Sequence, residues 1–222
     1  MPTSSTTSMD DCRPSLPAAS EHVLADGARL LVRPIVPSDR GQLEEGYRRL
    51  SARSRHTRFF APPAELSEAD LDYLTQLDHH DHCALGAFLL DEPGQPGVAV
   101  ARYVREADDP SSAEVAVTVL DDFQRRGIGT LLTRLLATVA AANGVRTLVY
   151  FVQWENDDMI ELLRQNGARI KADEPGVARI ELDIPDSERD VPDHTLHEIV
   201  RTFAQLVRDA FERVGTSGGD DR

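Results

Sequence analysis

Apolar and polar residues first alternate with a period of two over Ala28–Val36. There Leu30, Val32 and Pro34 interleave with Leu31, Arg33 and Ile35, which predicts a first β-strand. Ser38 or Asp39 then stands where an N-cap belongs, ahead of a helix running toward Leu50. Ser51–Phe60 is arginine-rich, closes with Phe59-Phe60, and is followed by the break Ala61–Pro63. Ser67 opens a second helix over Glu68–Asp78, with Leu71, Leu74 and Leu77 on one face. The apolar runs His82–Leu90 and Gly97–Arg105 flank a turn at Asp91–Pro96 and predict a hairpin. Ala113–Leu120 is a further strand, with Val115, Val117 and Val119 on one face and Glu114, Ala116 and Thr118 on the other. A long helix follows over Ile128–Ala142, ended by Asn143–Gly144. A strand over Thr147–Val152, a helix over Asn156–Gln165, and strands over Ala168–Ala172 and Val177–Ile184 complete an α/β chain.

The two ends differ from this middle. Residues 1–21 are rich in Ser, Thr and Pro with little to bury, and are expected to be a disordered N-terminal tail that is no secretory signal. Residues 22–184 form the expected folded domain, too short for an appended regulatory domain. Over 185–214, Leu196, Ile199, Val200, Phe203, Leu206, Val207, Ala210, Phe211 and Val214 recur at helical spacing, predicting an amphipathic C-terminal helix. It would pack on its own domain, pair two copies, or act as a lid, so monomer and homodimer both stay open. Residues 215–222 read as a second tail.

Charge narrows the partners. With 24 Lys and Arg against 38 Asp and Glu, the formal charge is −14, which repels nucleic acid and suits a cationic substrate. Lys171 is the only lysine. Cys12 and Cys83 make no disulfide framework and no C-x-x-C, so a reducing cytoplasm is expected. The longest apolar stretch, Leu131–Val145, is interrupted by Arg134 and Asn143, and no membrane span is expected. No metal is expected either: His79, His80, Asp81 and His82 are adjacent on one loop and do not converge on an ion.

The chemistry concentrates between the strand at 113–120 and the helix at 128–142. Gly127 and Gly129 permit a tight turn and a close backbone approach, and the unpaired N–H groups of the following helix point into that turn. Such a place suits an anion, a pyrophosphate above all, with Arg125 and Arg126 adding positive charge. The third glycine of a dinucleotide fingerprint and the Gly-Lys-Ser/Thr of a P-loop are both missing, so neither nucleotide motif fits.

At these residues the chain resembles the GNAT family of acetyl-CoA-dependent N-acetyltransferases. Gln124-x-x-Gly127-x-Gly129 is similar to the family's pyrophosphate loop. Glu155-Asn156-x-x-Met159, ahead of Leu162-Leu163 and Gly167-Ala168, is similar to its later motif; the likeness runs over residues 28–184. The resemblance implies a mixed, mostly antiparallel sheet of six to seven strands flanked by helices, with acetyl-CoA as co-substrate. It implies that backbone groups of Val117 and Val119 pair with pantetheine, that Gln124, Arg125, Arg126, Gly127, Ile128, Gly129 and Thr130 hold the pyrophosphate, and that Asn156 reaches the cofactor from across a gap between strands. Arg33-Pro34 and Ser51-x-Arg53-Ser54-Arg55-x-x-Arg58-Phe59-Phe60 further resemble the bacterial protein lysine acetyltransferases that modify acyl-CoA synthetases. By that likeness Glu114 is the general base, and the acceptor is a protein lysine, as on an AMP-forming acyl-CoA synthetase. The alternatives are a small cationic amine (a polyamine or aminoglycoside) and a non-catalytic acyl-CoA-binding module. One departure is that Leu162-Leu163 stands where many members carry a tyrosine for the leaving thiolate. Tyr150 and Trp154 are expected to serve packing.

Overall fold

A computed structural model of the chain describes residues 18–59, 63–165, 167–172 and 175–184. Its strands are β1 (Ser20–Val23), β2 (Arg29–Pro34), β3 (His82–Leu89), β4 (Gly97–Arg105), β5 (Ser112–Val119), β6 (Thr147–Gln153), β7 (Arg169–Ala172) and β8 (Val177–Asp183). Its helices are α1 (Arg40–Arg49), α2 (Ala52–Phe59), α3 (Glu68–Thr75), α4 (Ile128–Ala142) and α5 (Asp157–Gln165). Single 3-10 turns, Pro37–Asp39 and Asp121–Phe123, precede α1 and follow β5. The expected N-terminal tail up to residue 17, Phe60, and the apolar stripe beyond residue 184 lie outside the described residues. Among the described residues no helix is long and apolar enough to cross a membrane.

The strands form one sheet in the order β1-β2-β3-β4-β5-β6-β8-β7. Every pairing is antiparallel except β5 with β6. The sheet has eight strands rather than six to seven, because Ser20 and Glu21, expected in the tail, pair with Val32 and Leu31 as part of β1. Four residues are too few for alternation to stand out in the sequence. The pairing to β2 and the Arg29–Glu21 ion pair define this edge.

The faces are covered unequally. On one, Ile128, Leu132, Leu136 and Ala140 of α4 meet Ala113, Val115, Leu148, Tyr150 and Ile180 in the main core. Each fully buried aliphatic side chain there contributes about 1.5–3 kcal/mol. On the other, Ile35, Ala84 and Phe88 form a smaller cluster with Leu43 of α1 and with Leu77, while Tyr47, Leu50 and Leu120 form a third.

Two helix boundaries depart from expectation for local reasons. The helix expected over residues 68–78 stops at Thr75, since the Asp78 carboxylate takes the amides of His80, Asp81 and His82 at 2.8–2.9 Å and turns the chain. Ser67 caps it as expected, accepting from the Asp70 amide at 3.1 Å. Asp39 does not cap α1 through its side chain. It is 4% exposed and accepts both Arg33 guanidinium nitrogens at 2.7 Å and the Val36 amide at 2.9 Å.

Burial pushes the Asp39 carboxyl up, but the Arg33 hydrogen bonds, the Val36 amide and the Arg33 charge outweigh it and hold the group below the usual carboxylate range. A folded pKa below the unfolded value of about 3.9 stabilises the fold above that value and is lost as pH falls through the folded pKa. Asp39→Ala leaves the partly buried Arg33 without its carboxylate and is expected to lower the unfolding free energy by about 3 kcal/mol at pH 7. Urea titrations at pH 7 and pH 3 check this: the difference between wild type and variant should shrink at the lower pH.

Candidate active site

β5 pairs with β4 along its length, from Ala113 opposite Arg105 to Val119 opposite Ala99. With β6 it pairs only over Ser112, Ala113 and Glu114, which face Thr147, Leu148 and Val149. Beyond Glu114 the two parallel strands part. Leu120 donates its amide to Val98 at 2.9 Å, so even-numbered residues of β5 direct their peptide groups to β4. The alternation turns those of Val115, Val117 and Val119 toward the gap. Val117 and Val119, whose backbone groups were expected to pair with pantetheine, are two of these.

The gap opens at the C-terminal ends of β5 and β6. On one side lies the turn Gln124–Thr130. Arg125 and Gly127 adopt positive φ, 58° and 83°, and the Gly127 carbonyl accepts the Leu131 amide at 3.0 Å as the first helical bond of α4. No side chain caps this end, so the first amides of α4 have no intrahelical acceptor and face outward with the positive end of the dipole. Ile128 is buried at 1% exposure, which anchors the turn and leaves only its backbone for a ligand. Gly129 and Thr130 complete the first turn of α4. Arg125 is exposed. Arg126 is already engaged: it holds Asp26, in the turn between β1 and β2, at 2.6 Å and lies over the Phe123 ring. On the other side, Asn156 caps α5, its Oδ1 accepting the Met159 amide at 3.3 Å. The structure thus brings Gln124–Thr130 and Asn156 to the same edge of the sheet.

Glu114 sits at the apex of the gap, on the face of the sheet opposite α4, and is exposed. Five residues separate it from Val119, about 17 Å along an extended strand. Ala116 and Thr118, next on its face, line a cavity of about 90 Å³ between α1, α3 and the sheet. Its walls are mostly apolar, with Leu43, Leu50, Leu74 and Phe88 among them. Among the described residues its one acid is Asp39, bound to Arg33, and its one base is Arg102.

A family model for the GNAT acetyltransferase domain matches residues 29–169. The chain belongs to the GNAT acetyltransferase family. A Pseudomonas aeruginosa acetyltransferase is 34% identical over 125 residues, covering 56% of this chain and 67% of its own length. Acetyltransferase Pat of Mycolicibacterium smegmatis is 32% identical over 160 residues, and the chain spans only 47% of that protein. The crystal structure of the GNAT domain of the S. lividans PAT superposes with a TM-score of 0.67 at 34% identity, covering 75% of this chain and 97% of that one.

Within this GNAT domain the remaining polar groups sort by contact. Cys83 is fully buried, and burial pushes its thiol up to about 12, so it is inert core. Among the described residues no group of histidines, cysteines and acids converges as a metal site. His82 stacks on Tyr73 and accepts from Arg102 at 2.9 Å. Burial chiefly, with the Arg102 charge, lowers its pKa to about 4, so it is neutral and its lone pair is taken. Tyr150 is core, as expected, while Trp154 is 41% exposed. Leu163 is buried in the core, and neither leucine at 162–163 offers a hydroxyl.

The sequence did not disclose the contacts of three polar residues. Ser51–Phe59, read from the sequence only as arginine-rich, contains α2, whose cap Ser51 accepts the Ser54 amide at 3.1 Å. Asp121 accepts from the Ser51 amide at 2.9 Å, the Ser51 hydroxyl at 2.8 Å and the Ser54 hydroxyl at 2.7 Å. A serine pair three apart at the head of a polar run was the available signal. No apolar face marked the helix.

The two glycines of the turn differ in what they require. Gly127 needs left-handed backbone, and Gly127→Ala should lower stability by about 1 kcal/mol. A Cβ on Gly129 would meet Val119 Cγ2 at 3.6 Å and Val117 Cγ1 at 3.8 Å, ordinary contact. Gly129→Ala should therefore leave stability unchanged or raise it by up to about 1 kcal/mol. Urea midpoints of the two variants beside wild type check the contrast.

Proposed function

We propose that the chain transfers an acetyl group from acetyl-CoA to a protein lysine, with Glu114 as general base. The observation that carries this reading is the parting of β5 from β6 immediately after an exposed Glu114. In this reading pantetheine lies in the gap as an added strand, pairing with the turned-out peptide groups of Val117 and Val119. The pyrophosphate sits on the open amides of Gly127–Thr130, with Arg125 beside it and Arg126 joining on leaving Asp26. Gln124 holds the turn from β5, and Asn156 closes the gap from the far side. A Salmonella typhimurium relative in fold, 17% identical with a TM-score of 0.55, was solved with acetyl-CoA, which supports the choice of co-substrate.

The thioester then lies near the apex, where an amine can approach over the open face of β5. A lysine side chain has a pKa near 10.4, so at pH 7 deprotonation costs about 4–5 kcal/mol before attack. Glu114, directly or through one water, takes that proton as the nitrogen attacks the carbonyl carbon. The tetrahedral intermediate collapses and the thiolate leaves. A thiol pKa of about 8.5 makes it a fair leaving group without a tyrosine acid.

Two observations support a protein acceptor over a small polycation. The cavity beside Ala116 and Thr118 is apolar, and its one carboxylate is occupied by Arg33. The similarity to Pat of M. smegmatis and the S. lividans PAT domain points the same way. An AMP-forming acyl-CoA synthetase is the acceptor to try first, and the cytoplasm the compartment this reading assumes. The folded domain of residues 22–184 carries the whole of the proposed chemistry.

Acetyl transfer from labelled acetyl-CoA to a purified AMP-forming acyl-CoA synthetase tests this, with Glu114→Gln beside wild type. Wild type should label lysine, and the variant should lose about 10²–10⁴-fold in kcat while binding acetyl-CoA as before. Labelling of spermidine or an aminoglycoside but not protein would replace the acceptor. An unaffected Glu114→Gln enzyme would remove the base.

A further inference from the structure

The contacts around Asp121 join two parts of the molecule that the proposed reaction uses separately. Asp121 opens the short turn between β5 and the phosphate-binding turn. Its carboxylate takes three donors from the first turn of α2, as given above, and so supplies from another element the negative charge that the α2 N-terminus lacks in its own first turn. The Ser51 amide chiefly, with the two hydroxyls and against burial, holds this carboxyl below the usual range, so it is ionised at neutral pH.

The hydrogen bonds continue in one direction. Ser54 gives its only hydroxyl proton to Asp121, leaving its oxygen to accept from Gln124 Nε2 at 3.3 Å. The same Gln124 nitrogen donates to the Val119 carbonyl at 3.2 Å. Val119 faces the gap, and Gln124 begins the phosphate-binding turn. A carbonyl has two lone pairs, so Val119 can keep Gln124 and still accept a pantetheine amide. An anion bound at the α4 N-terminus would therefore bear on residues 124–130 and, through Gln124 and Asp121, on the head of α2 as well.

α2 needs such a tie. It has eight residues, below the length at which an isolated helix is stable, and residues 52–56 are exposed or half-buried. Arg55 lies over the ring of Tyr47, which lines the cavity, so the placement of α2 bears on the acceptor side of the sheet.

We propose that Asp121 is a positioning residue that couples acyl-CoA binding in the β5–β6 gap to the ordering of α2 on the acceptor side, through Ser51, Ser54 and Gln124. The proposal rests on the reading of the gap as the acyl-CoA site. Hydrogen exchange of the full chain, with and without acetyl-CoA, separates the two. In wild type, acetyl-CoA should slow exchange in residues 124–130 and also in residues 52–59, the latter by about fivefold or more. Asp121→Ala and Ser54→Ala should keep the first protection and lose the second, with the KM for the acceptor rising more than the KM for acetyl-CoA. Ser54→Ala removes one hydroxyl and leaves the Ser51 contacts in place, so it decides the matter if Asp121→Ala does not fold. Protection at 124–130 with none at 52–59 in wild type, or with protection at 52–59 retained in Ser54→Ala, overturns the coupling and leaves the acyl-CoA site standing. No protection at 124–130 in wild type overturns both.

Discussion

The short parallel contact between β5 and β6 is the constraint from which the site follows. Three residue pairs join these strands, while β4 holds β5 from Ala113 to Val119 and β8 holds β6 from Thr147 to Gln153. Each strand is secured from its outer side, so they separate on the inner side without the sheet coming apart. The separation creates two strand edges inside a sheet, with peptide groups that need partners. A Gln124 amide meets one of these at Val119. In the proposed reading the others pair with a ligand that carries amides along its length, as an added strand would.

The same parting explains why the functional groups come from distant stretches of sequence. In a parallel pair the C-terminal ends of both strands lie at one edge, so the turns after β5 and β6 flank the mouth of the gap. Helix α4 must follow β5 to return the chain for a parallel β6, and its first turn therefore opens at that mouth. The apex, where pairing ends at Glu114, is fixed by the other end of β5. One strand of eight residues thus sets the separation between the carboxylate and the anion site.

What the sequence disclosed follows how each feature is stored. Helix α4 was legible to the residue, because Leu132, Leu136 and Ala140 repeat at helical spacing between a glycine turn and Asn143–Gly144. The faces of β5 were legible because period two is strict there. The turn at Gly127 and Gly129 was legible as an anion site from its glycines and the helix that follows. Glu114, Gln124 and Asn156 stood out only by resemblance to a family, since a strand glutamate, a turn glutamine and a helix cap carry no unique signal. Strand β1 and helix α2 went unread for different reasons. β1 pairs with the neighbouring β2, but its four residues are too few to show a period. α2 is held at its head by Asp121, far along the chain, and a window of local sequence does not contain that partner.

Charge is the feature that composition suggested and the structure places elsewhere. A net −14 opposes an anionic ligand, yet the residues at the mouth of the gap supply open amides, a helix dipole and Arg125. Much of the acidity is spent in local pairs, among them Glu106 with Arg179 at 2.8 Å and Glu181 with Lys171 at 2.9 Å. The cavity next to Ala116 and Thr118 holds one carboxylate, and Arg33 neutralises it. Acidic character therefore acts on this molecule at long range, through solubility and encounter, and is screened beyond about 8–10 Å in physiological salt. In the proposed reading, recognition at the gap rests instead on backbone groups whose direction the parting of two strands has fixed.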